Sequence, residues 1–149
     1  MRLVEQIAFQ NWANAESLNA VMRAGEHTRE EQRILAHMLG ISELWACRVE
    51  EKEPLLGAWP TLSVEELQSS CVALALRWLA IVERSDANAT IHYRSSRGGI
   101  ETNSLGEIVY ELALHGAHHR GQLAVLLRQH GHAPPDSTDY IPALRRGVL

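Results

Sequence analysis

Cysteine is scarce in this chain of 149 residues, with only Cys47 and Cys71. They make no CxxC and no spaced framework, so a disulfide-stapled scaffold is excluded and two reduced, buried thiols are expected. Long apolar runs are missing too. None reaches the about 18 residues of a membrane span. The leading stretch MRLVEQIAFQNWAN turns polar too early for the apolar core of a signal peptide. The expected location is therefore cytoplasmic, away from any membrane. Positive charge is not in excess: 14 Lys and Arg face 18 Asp and Glu, for a net charge of −4. No basic stripe interleaved with aromatics appears, and the pair Arg145-Arg146 is too small a patch to grip a phosphate backbone. Nucleic acid is not an expected partner. The GxSxG elbow, the glycine-rich phosphate loop and the HExxH helix are all absent. No internal repeat or low-complexity segment is present.

What remains is an ordinary globular composition, 46% hydrophobic and 21% charged. The length suits one domain, residues 1–149, able to bury roughly 68–70% of its unfolded surface. Four helices of similar length are expected. Leu3 to about Arg23 carries Val4, Ile7, Ala8, Trp12, Ala15, Leu18 and Met22 at helical spacing, and Gly25 ends it. Thr28 to Glu31 reads as a capping box opening a second helix that runs to about Glu50. Pro54, Gly57 and Pro60 mark a connection. Ser63 to Glu66 is a second capping box, ahead of Leu67, Cys71, Leu74, Trp78, Leu79 and Val82. Thr90–Arg94 and Ile100–Asn103 flank Ser95-Ser96-Arg97-Gly98-Gly99, a short hairpin. Ser104 to Glu107 is a third capping box for a last helix ending near Gln129, with Gly131 as its C-terminal cap. A tail follows, pinned by Tyr140 and Ile141. Four such helices make an all-α four-helix bundle with a short hairpin or irregular excursion before the last helix. An irregular all-α domain is the alternative.

The chemistry-bearing stretch is LHGAHHRGQL, residues 114–123. The apolar stripe of the last helix is Leu105, Ile108, Val109, Leu112, Leu123, Leu126 and Leu127. Its spacing, continued from Leu112, lands on His115 and His119, which share one face at i and i+4. The second helix has the same irregularity: His37 takes a seam position between Ile34 and Ile41. In bundles, metal sites are built from side chains projecting inward from facing helices. Three imidazoles with an open position describe a catalytic rather than a structural site, and they suit zinc, nickel, copper or iron alike. A bare HxxxH also arises by chance among eight histidines, and a lone His37 reads equally as a hydrogen-bonded core histidine.

The string His115-Gly-Ala-His-His119-Arg-Gly-Gln122 resembles the HxxxHRGQ signature of the DinB family of bacterial four-helix-bundle proteins, the DinB/YfiT-like metalloenzymes. Trp12-Ala13-Asn14 resembles that family's first-helix element, and Leu35-Ala36-His37-Met38-Leu39-Gly40 its second-helix histidine motif. Tyr93-Arg94, Gly98 and the ending Leu127 to Gly131 with Pro134-Pro135 fit as well. The resemblance implies a bundle whose divalent ion is held by His37, His115 and His119. The ion it implies is zinc or nickel first, with iron or manganese next. It also implies frequent homodimers. Some members act on small molecules with a low-molecular-weight thiol as cosubstrate, as S-transferases or isomerases.

Around these residues, Gln122 reads as a partner of a ligand ring or as a polar residue facing a loop. Arg120 reads as a structural salt bridge or an anion ligand at the mouth. Gly121 reads as room for close helix approach. His118 is off the stripe and reads as a surface or interface residue, or as a replacement ligand. Glu111 reads as a base or, more simply, a solvated carboxylate. His27, His92, His130 and His132 have no role, and Trp12, Trp45, Trp59 and Trp78 read as packing. A metal-dependent transferase, hydrolase or isomerase is one expectation. A non-catalytic metal-binding or stress-response bundle is the other.

Overall fold

The computed structural model describes residues 2–25 and 28–149; His27 lies outside them. The four long helices are α1 (Leu3–Ala24), α2 (Arg29–Glu50), α3 (Val64–Glu83) and α4 (Leu105–Gln129). Strands β1 (Thr90–Arg94) and β2 (Ile100–Ser104) form the hairpin between α3 and α4, and a short α5 (Tyr140–Arg145) closes the chain. The protein is thus mostly helical, as expected. Each of α1 and α2 packs on both α3 and α4, so α2 and α4, which carry the histidines, are neighbours. Among the described residues no helix is long and apolar enough to cross a membrane.

Local sequence explains most of the ends. Ser63 and Ser104 accept from the amides of Glu66 and Glu107, whose carboxylates return to the serine amides, closing two capping boxes. Gly131, at φ 80°, ends α4: its amide reaches Arg128 O and that of His132 reaches Leu127 O, the two bonds of a Schellman motif. The box expected at Thr28 does not form. Its hydroxyl donates to Gly25 O and accepts from Gln32. Glu31 is fully buried and accepts from His130 Nδ1 at 2.7 Å, tying the start of α2 to the end of α4. A partner from a distant element outcompeted the local cap, and His130 thereby gains a structural role.

The core divides into two clusters. Leu18, Val21, Leu35, Leu39, Leu67, Leu74, Leu123 and Leu127 fill one end. Ile7, Ala46, Trp78, Ile81, Leu105, Ile108, Val109 and Leu112 fill the other. Trp78 is buried, with its indole N–H donated to Ser42 O and Oγ. The strands pair antiparallel, Thr90 opposite Ser104 and Arg94 opposite Ile100. They rest on α2 through Trp45 and Tyr93, rings 5.0 Å apart, with the Arg48 guanidinium over both. In the tail, Tyr140 packs edge-on against Phe9 and Ala143 is fully buried, whereas Ile141 is exposed. Cys47 and Cys71 are free thiols, one buried and one half-buried, and burial raises the pKa of both.

Candidate metal centre

His37 of α2 and His115 and His119 of α4 converge. One ring nitrogen from each lies within 4.8 Å of the others, close enough for all three to reach one ion. The ring centroids are 4.4 to 5.0 Å apart and the rings meet edge to face. His37 and His119 are buried, and His115 is half-buried.

Hydrogen bonds set two of the tautomers. His37 Nδ1 lies 2.6 Å from Ala58 O, a carbonyl that only accepts, so Nδ1 carries the proton. His119 Nδ1 donates to Gln122 Oε1 at 2.7 Å. With Nδ1 engaged, each ring has Nε2 left to offer, the arrangement that orients metal-ligating histidines. His115 Nε2 is buried with no hydrogen-bond partner among the described residues. An unpaired buried donor or acceptor costs about 1–3 kcal/mol, which an ion bound there would offset. Desolvation, followed by the neighbouring imidazoles, pulls the pKa of His115 down to about 4. The pKa of His37 is also lowered, first by desolvation. Both rings stay neutral at pH 7, as ligation requires. The three residues thus fit a divalent ion.

One wall of the centre is not helical. The connection between α2 and α3 lies over α2, and Trp59 stacks on His37 at 3.7 Å between centroids and 9° between planes. Two α2 residues hold it there. Glu43 accepts from the amides of Leu55 and Leu56. Gly40 leaves the space that Gly57 O and Pro60 occupy; a Cβ there would collide with both. Sequence reasoning gave Trp59 a packing role. Its indole instead forms part of the site wall and remains 48% exposed.

The opposite flank is built by α1. Arg120 is 4% exposed and its Nη1 donates to Gln10 Oε1 at 3.0 Å and Asn14 Oδ1 at 3.1 Å. Its partners are neutral amides, and among the described residues the expected salt bridge is absent. Gln10 in turn donates to Leu112 O. This crossing is possible because residue 116 is glycine: a Cβ there would overlap Gln10 and the Arg120 guanidinium. Gly121, expected to admit a neighbouring helix, faces open space. Gln122 is exposed and donates to His118 Nε2 while holding His119. His118 is exposed and outside the converging set, and Glu111 is exposed, as the solvated reading has it.

The model of the DinB family matches residues 3–145. The chain belongs to the DinB family. It is also 27% identical over 78 residues to Protein DinB of Bacillus subtilis (strain 168), a match covering 52% of this chain and 45% of that protein. The chain therefore spans about half the length of that curated relative. No solved structure matches it. Within this DinB-family bundle, the first-helix Trp-Ala-Asn element and the HxxxHRGQ string meet physically through Asn14 and Arg120. Gly40 and Gly116 are the residues sequence reasoning passed over. Their signal is a glycine inside a helix within three residues of a histidine, where alanine would be the better helix former.

Proposed function

We propose that this DinB-family chain is a metal-dependent enzyme that holds a divalent ion through His37, His115 and His119. One observation carries the reading: three imidazoles converge while Ala58 O and Gln122 Oε1 occupy the far nitrogens of two of them. Three protein ligands leave a coordination position for substrate or water. When bound, the ion supplies Lewis acidity and lowers the pKa of a water or thiol. The protein's part is orientation. Ala58 and Gln122 fix the ring planes, Trp59 shields one side from water, and the Arg120 crossing holds α4 against α1. No carboxylate belongs to the converging set among the described residues, so a thiol-dependent S-transferase or isomerase, which can bring its own nucleophile, is the finer reading. Zinc or nickel is the proposed ion, and a homodimer acting on a small molecule in the cytoplasm completes the proposal.

The same lack of a converging carboxylate also favours a second reading, a non-catalytic metal-binding bundle. Elemental analysis of untagged protein should find about one divalent ion per chain. A panel of thiol-plus-electrophile reactions should show turnover that His119→Ala abolishes. Turnover that survives His119→Ala would reject the enzymatic role of the centre, and protein that never takes up metal would reject both readings.

A further inference from the structure

A groove of about 280 Å³ is lined by Arg29, Gln32, Arg33 and Ala36 of α2, ending one residue short of His37, and by Pro60, Thr61 and Leu62 of the connection, which follow Trp59. Among the described residues no carboxylate lines it. Arg33 is exposed, and its guanidinium lies 4.6 Å from the centroid of Trp59, the ring that stacks on His37. The ion pairs among the described residues engage Arg2, Arg77, Arg84 and Arg146, and Arg33 is in none of them. A cation within about 6 Å of an indole face is held by the ring quadrupole. The Arg33 fork is therefore pre-oriented with its donors uncommitted, the state that favours bidentate capture of an oxyanion. Arg29, Arg33 and His37 follow at i, i+4 and i+8 on one helix face. At 1.5 Å per residue, Arg33 sits roughly 6 Å and Arg29 about 12 Å along the axis from His37.

We infer that this groove seats the oxyanion, carboxylate or phosphate, of a small molecule whose reacting end reaches the three-histidine centre. Arg33 is the principal ligand and Arg29 the second. The inference deepens the proposed function and rests on it only for where the reacting end goes. It also limits the substrate: a compound whose anion and reacting atom are separated by much more than the length of two helical turns does not fit.

The test is an NMR titration of the full chain with inorganic phosphate and, separately, malonate, metal-free and zinc-loaded, following the Trp59 indole N–H. Saturable shifts are expected in wild type. Arg33→Ala should weaken binding roughly tenfold or more, the worth of a charge-assisted pair. Arg33→Lys should keep part of it, and Arg94→Ala on the hairpin should change nothing. Which anion binds tighter identifies the carboxylate or phosphate source. No saturable shift with either anion, or Arg33→Ala binding as wild type does, overturns the inference. Anion binding that depends on Arg33 in a chain that takes up no zinc would sink the metal reading and leave the seat standing. Zinc uptake with no anion binding would do the reverse.

Discussion

Arg120 and Asn14, 106 positions apart in the chain, meet at 3.1 Å inside the bundle. Their contact, with Gln10 beside them, lashes the histidine-bearing helix to α1. Arg120→Ala leaves the half-buried Gln10 and Asn14 oxygens without their donor, at up to about 1–3 kcal/mol for each one that water cannot reach. Thermal melting should show a clear loss of stability. Arg120→Lys should recover only part, because an ammonium is more strongly hydrated than a guanidinium and costs more to bury.

Glycine substitutions separate the two crossings from ordinary helix positions. Gly40→Ala should cost about 1–3 kcal/mol by overpacking, and should also weaken metal binding by lifting Ala58 O and Trp59 off His37. Gly116→Ala should destabilise by a similar amount through Gln10 and Arg120. Gly121→Ala, into open space, should be neutral or stabilise by up to about 1 kcal/mol. Melting curves and metal titrations of the three variants suffice; equal effects at 40 and 121 would refute the packing explanation.

Gln122 would act on a bound ion through His119. Gln122→Leu should weaken metal affinity about 10–100-fold, as loss of such outer partners does elsewhere, with little change in melting of the metal-free protein. Competition with a chromophoric chelator measures it. His118→Ala, removing the exposed end of the same chain of bonds, should have a much smaller effect.

The metal-free protein should lose stability as pH falls. Burial holds His115 at about 4 in the fold, while an unfolded chain returns it to about 6.5. Between those values the unfolded state binds a proton that the folded state refuses, so unfolding becomes easier as pH drops through the window and is flat above it. His37, lowered for the same first cause, adds in the same direction. Melting temperature against pH, with chelator, should fall between about pH 6.5 and pH 4, and His115→Gln should flatten part of that slope. A wild-type profile without slope would contradict the burial effect.

The helices, the hairpin and the three converging histidines were legible because each leaves a periodic or residue-specific trace. An imidazole at a Leu position stands out, and a Ser followed three residues later by Glu names a helix start. Thr28 carried the same pattern and misled, because the pattern cannot register that Glu31 has a distant partner in His130. Arg120 misled for a related reason: its partners are uncharged amides of another helix, and no charge pairing in the sequence points to them. Ala58 was invisible in principle, since what it contributes is a backbone carbonyl that every residue possesses.

The wall made by the α2–α3 connection has a thermodynamic consequence. Its contact with His37 is made only when the segment lies down, so an ion that favours the oriented ring also favours the closed segment. By reciprocity the coupling runs both ways: whatever loosens the segment must loosen the ion by the same factor. Gly40 and Glu43, neither of which belongs to the converging set, would therefore set part of the affinity of an ion bound there. Protection of the Leu55 and Leu56 amides from hydrogen exchange would report how full that seat is.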